Sequence, residues 1–75
     1  MKKFEKGCMV IHDGKTPCVD YYKTYQPKAG EEGIFCQHEK EGVAFIAFSG
    51  YQGFCQLVSL TVRLSKEELK KHLEQ

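Results

Sequence analysis

The sequence predicts a small antiparallel β-barrel of five to six short strands, followed by one short C-terminal α-helix. Three observations carry this. Short apolar runs recur between residues 4 and 64, each ended by glycine, proline or polar residues, which is how strands joined by tight turns read. The run "VAFIAF" (43–48) is apolar at both parities, as a central strand covered on both sides requires. The tail "LSKEELKKHLEQ" (64–75) opens with a helix-start signal. Seventy-five residues make one domain, with the barrel over 4–64 and the helix over 65–74.

Each element follows in order. "CMVIH" (8–12), bounded by Gly7 and "DGKTP", is the first strand, and Asp13-Gly14 favours a tight turn after it. "CVDYYKTYQ" (18–26) puts Tyr21, Tyr22 and Tyr25 on both faces, as in a twisted strand or an ordered loop with exposed rings. "QPKAGEEG" (26–33) reads as a connection. "GIFCQH" (33–38) is a strand, "EKEG" (39–42) a four-residue hairpin loop, and "SGYQG" (49–53) a second turn using Gly50 and Gly53. Beyond it the alternation changes phase. Cys55 and Leu57 share one parity; Val58, Leu60, Val62 and Leu64 share the other, with Ser59, Thr61 and Arg63 facing water. A period of two reverses parity only through a bulge or a short helical turn, expected at Leu57–Val58. Ser65 and Glu68 then form a capping box, with Leu64 and Leu69 as a hydrophobic staple. Lys70, Lys71 and His72 complement the helix dipole. So short a helix is marginal alone, and its narrow stripe, Leu69 and Leu73, is expected to dock on the barrel or a partner.

The segments "FEKGCMVI" (4–11), "GEEGIFCQ" (30–37) with "GVAFIAFSG" (42–50), and "CQLVSLTV" (55–62) together resemble an SH3-like barrel. They correspond to its first strand, its central hairpin, and the kink into its last strand, where that fold places a short 3₁₀ turn. Small barrel proteins of bacteria and phages open with a similar F-x-x-G-x-x-V pattern. They usually carry an acidic residue after the glycine, where this chain has Cys8. In SH3-like folds the partner groove lies beside the long first excursion and the later hairpin loops. The resemblance therefore implies a protein-binding surface of Tyr21, Tyr22, Lys23, Tyr25, Tyr51 and Gln52.

The chemistry-bearing residues point the same way. The N-terminus "MKKFEKG" is charged, with no apolar stretch after it, so it does not read as a signal peptide. No run approaches the roughly 18 apolar residues of a membrane helix. The expected address is cytoplasmic, where the four cysteines read as free thiols. Cys36 and His38, two apart on a strand, would point the same way, and Cys55 could come near them. These are the zinc candidates, but structural zinc needs about four converging ligands, and no Cys-x-x-Cys knuckle is present. No metal or other cofactor is expected. There is no phosphate-binding glycine loop, and Cys36 and His38 stand side by side rather than aimed at one point, so no enzymatic activity is expected.

Residues 1–30 carry six lysines against three acids, and residues 31–75 five basic residues against seven acids. Tyr21, Tyr22, Lys23, Tyr25 and Lys28 mix rings with positive charge, so a second reading is a single-stranded nucleic-acid binder. A third is a homo-oligomer binding a small nucleotide ligand, since one small barrel encloses little volume. The leading expectation is a non-enzymatic protein-binding module. Its specific form is a phage or mobile-element inhibitor or adaptor acting stoichiometrically on a host or defence protein, an inference from protein type rather than from a motif.

Overall fold

The computed structural model describes residues 3–74. It is mainly β: seven antiparallel strands in one open sheet, with one helix after them. The strands are β1 (Met9–His12), β2 (Cys18–Val19), β3 (Thr24–Tyr25), β4 (Glu32–Lys40), β5 (Val43–Phe48), β6 (Tyr51–Gln56) and β7 (Leu60–Leu64). Their order across the sheet is β3-β2-β6-β5-β4-β1-β7. β3 and β7 are its two ends, so the sheet is described as open and not as a closed barrel. The helix α1 spans Lys66–Leu73.

The core lies on one face of this sheet. Val10 and His12 alternate inward from β1, Ala44, Ile46 and Phe48 from β5, and Gly53 and Cys55 from β6. Cys8, Cys18, Phe35 and Leu60 complete it. Cysteine serves here as a small buried apolar group, as it often does. Close packing explains Gly33: a Cβ there would stand 2.8 Å from the Ile46 side chain.

Both later turns are tighter than the sequence predicts. β4 runs to Lys40 and β5 starts at Val43, which leaves Glu41-Gly42 as a two-residue loop rather than four-residue "EKEG". Ser49-Gly50 likewise joins β5 to β6, with Phe48 opposite Tyr51. Gly53 is therefore a strand residue. It meets a different demand, because a Cβ would come within 3.0 Å of the Val19 carbonyl oxygen. The turn after β1 does need its glycine. Gly14 has φ +79°, and a Cβ there would lie 2.6 Å from the Ala29 backbone nitrogen.

The parity reversal falls where expected, as a 3₁₀ turn over Leu57–Ser59. Within it the facing is the reverse of the strand pattern. Val58 is 85% exposed, whereas Ser59 is buried and shares a hydrogen bond with the Thr16 hydroxyl. A 3₁₀ turn advances three residues per revolution, so alternation by two cannot be carried through it. From Leu60 onward the expected pattern resumes, with Thr61 and Arg63 exposed.

The capping box is formed in both directions. Ser65 Oγ accepts from the Glu68 N–H, and Glu68 Oε1 accepts from the Ser65 N–H. The expected docking is slight. No residue of α1 is buried, and Leu73 is 74% exposed.

Candidate binding surface

The segment between β2 and β3 folds as a tight hairpin because Asp20 holds its own turn. Asp20 Oδ1 accepts from the N–H groups of Tyr22 (2.7 Å) and Lys23 (2.6 Å), the side-chain turn that aspartate favours. These backbone N–H bonds are the first cause holding the Asp20 carboxyl below its ordinary pKa. The turn presents Tyr21 and Tyr22 to solvent, 84% and 93% exposed, with Lys23 exposed beside them.

Beneath them lies the sheet face opposite the core. Val19 pairs with Phe54. The Tyr21 ring stands edge-on to Phe54 at 5.8 Å, and Phe54 meets Phe45 at 5.0 Å. Two shallow grooves flank this row. One, of about 510 Å³, is walled by Pro17, Val19, Tyr21, Val43 and Phe54, with Lys40 and Glu39 along it. The other, of about 220 Å³, is walled by Asp20, Tyr21, Tyr22, Phe45, Gln52 and Phe54. Tyr21 and Phe54 belong to both and form the ridge between them.

The six residues expected to form one surface are divided by the sheet. Neighbouring residues of a strand face opposite sides, so Tyr51 and Gln52 part company on β6. Gln52 joins Tyr21 and Tyr22, with Lys23 exposed on the same turn. Tyr25 stacks instead on Tyr51 (4.6 Å), and Tyr51 on the buried Phe48 (5.0 Å). The Tyr51 hydroxyl donates to Glu31 Oε2, and the Lys28 N–H donates to Glu31 Oε1 at 3.1 Å. Burial first, then the Glu31 bond, drives the Tyr51 pKa upward. The same bond is the main cause lowering that of Glu31. This second cluster ties the 25–31 connection to the sheet, and its rings are half-buried or buried.

The zinc candidates are separated. A bulge falls between Phe35 and Gln37 of β4, so Phe35 faces Ile46 and His38 faces Ala44. Cys36 is the extra residue, and His38 is returned to the face of Phe35, whose ring it meets at 4.9 Å. The expectation that Cys36 and His38 point the same way fails for this reason. Cys55 is engaged elsewhere, in a disulfide with Cys18, which also overturns the expectation of four free thiols. Cys8 and Cys36 are unpaired.

Sequence reasoning did not place His12 beside that disulfide. His12 is fully buried, and a ring nitrogen of it lies within 4.8 Å of the Cys18 and Cys55 sulfurs. Its Nδ1 accepts from the Gly14 N–H at 2.8 Å, while Nε2 is buried with no partner. Burial is the main cause lowering the His12 pKa, opposed by the charges of Asp13 and Glu31. The alternation Cys8, Val10, His12 was the available signal for its burial. Nothing in the cysteine spacing placed it against sulfur.

No helix among the described residues is long and apolar enough to cross a membrane. No protein family, curated protein or solved structure matches this chain.

Proposed function

We propose that this chain is a non-enzymatic protein-binding module of SH3-like build, which docks a partner on the face formed by Tyr21, Tyr22, Phe45, Gln52 and Phe54. The observation that carries the reading is the pair Tyr21 and Tyr22, almost fully exposed on a turn fixed by Asp20 and set beside apolar grooves. Two large rings held in water by an ordered turn lose little entropy on binding, and tyrosine brings area and a polar tip together. The SH3-like reading is supported by the run β7-β1-β4-β5-β6 within the sheet order and the 3₁₀ turn before β7. The long excursion between β1 and β4, which carries the tyrosines, supports it too. The narrower form, a phage or mobile-element inhibitor or adaptor acting one-to-one on a host or defence protein, rests on the type of protein and not on a motif.

The test compares the intact protein with Tyr21→Ala and Tyr22→Ala as bait. Both variants should keep the wild-type circular dichroism and lose the partner. Unchanged capture by both, or salt-sensitive binding to mixed single-stranded oligonucleotides in place of a protein, would replace this reading.

A further inference from the structure

We propose that the Cys18–Cys55 bond is a reversible latch: a dithiol reductant opens it, His12 holds the thiolate left on Cys55, and the β2–β3 hairpin, released at Cys18, loosens from the sheet. Three observations meet here. The first is connectivity. The bond joins the two-residue strand β2 to β6, the backbone pairing between those strands is Val19 opposite Phe54, and β3 pairs with β2 at the sheet's edge.

The second is the state of His12. Because Nδ1 accepts from the Gly14 N–H, the neutral ring carries its proton on Nε2. That donor is buried and unpartnered, on a ring that has a nitrogen within 4.8 Å of the two sulfurs. A disulfide sulfur is a weak acceptor. A thiolate is a strong one, and an N–H bond to it is charge-assisted. Reduction thus gives the orphaned donor its partner.

The third is access. Both sulfurs are buried, yet they lie under an edge hairpin of two-residue strands, the kind of unit that opens locally ahead of the rest of a fold.

The reaction is ordinary thiol–disulfide exchange. One thiolate of the reductant attacks one cysteine sulfur, and the S–S bond breaks. The other cysteine leaves as a thiolate, which accepts from His12 Nε2–H. The reductant's second thiolate then attacks the mixed disulfide, closes its own S–S bond and expels the first cysteine. Two electrons pass to the protein. The reductant gives up two protons, one to a cysteine sulfur and one to solvent. A zinc ion on the same three residues is disfavoured by the tautomer. Coordination through Nε2 needs its lone pair, and the Gly14 N–H holds the lone pair on Nδ1.

The test uses the full chain with dithiothreitol, read by backbone hydrogen exchange and native mass spectrometry. Reduction should raise exchange at Val19–Tyr25 at least tenfold, leave β4, β5 and β6 protected, and add no metal. Unchanged hairpin protection, loss of protection everywhere, or stoichiometric zinc on the reduced protein would each overturn the latch. His12→Asn keeps an acceptor for the Gly14 N–H and removes the Nε2–H, its own amide N–H groups lying on a shorter side chain. It should shift the equilibrium with dithiothreitol at least tenfold toward the disulfide, about 30 mV, and an unshifted equilibrium removes His12 from the proposal. If that variant does not fold, the wild-type imidazole decides: its Nε2–H resonance should move downfield on reduction, and a stationary one counts against. Control of partner capture would rest on the function proposed above. Hairpin loosening with undiminished capture therefore sinks that function and leaves the latch.

Discussion

His12 is buried as a neutral ring between a backbone donor on one nitrogen and sulfur near the ring, and this has a consequence in acid. Its folded pKa lies below the ordinary value of 6.5. Just below that value the unfolded chain takes up a proton that the folded one refuses, so stability falls as pH drops. Asp13 and Glu31 oppose the shift and do not reverse it. Glu31, itself lowered, adds to the loss as pH falls through the carboxylate range. Tyr51 acts at the other extreme: its raised pKa makes stability decline as pH climbs above about 10. Urea midpoints should therefore decrease from pH 7 to pH 5, and His12→Asn should flatten that decrease. A wild-type midpoint constant over this range would contradict the neutral buried ring.

The tyrosines divide at the same scale. Tyr51→Ala removes a stacked ring and leaves Glu31 without its hydroxyl partner, which should cost about 2 kcal/mol or more of stability in chemical denaturation. Tyr21→Ala and Tyr22→Ala touch exposed rings and should move stability by less than about 0.5 kcal/mol.

Among the elements, what the sequence reveals depends on whether a physical rule forces a single answer. The 3₁₀ turn at Leu57–Ser59 was legible because inward parity cannot reverse without an irregularity. The facing of Val58 and Ser59 was not, since the strand period does not apply inside the turn. The bulge at Cys36 was hidden because Cys36, Gln37 and His38 can each sit on either face of β4 without exposing a large apolar group, and its effect was to dismantle the Cys36–His38 pair. The capping box was legible from Ser65 and Glu68 alone, whereas docking of α1 on the sheet was over-read from a stripe of two leucines. Ser65→Ala should cost the helix about 1 kcal/mol and lower helical signal while the sheet's thermal transition hardly moves. Gly14→Ala should do the opposite. Positive φ and the Ala29 backbone in its way predict a loss of at least about 1 kcal/mol in the sheet's own stability, and a neutral result would show that the turn is not held as described.

At the scale of the whole molecule, a small core is assisted by one covalent tie. Four cysteines allow three full pairings, and spacing does not choose among them. Folding joins Cys18 to Cys55, 37 residues apart, a loop whose closure stabilises by about 4 kcal/mol in the chain-entropy account. That tie fixes β2 on β6 and so holds the Asp20 turn, with Tyr21 and Tyr22, over Phe45 and Phe54. The division of the expected surface into an outward set around Tyr21 and an inward set around Tyr51 follows from sheet pairing between distant segments, which no local pattern encodes. The most direct measurement of the central claim is quantitative capture of a protein partner by the oxidised full chain and by the Tyr21→Ala/Tyr22→Ala double variant, with native mass spectrometry of the recovered complex. A one-to-one complex whose affinity falls a hundredfold or more in the folded double variant is the predicted result. Equal affinity for the wild type and the double variant would contradict it.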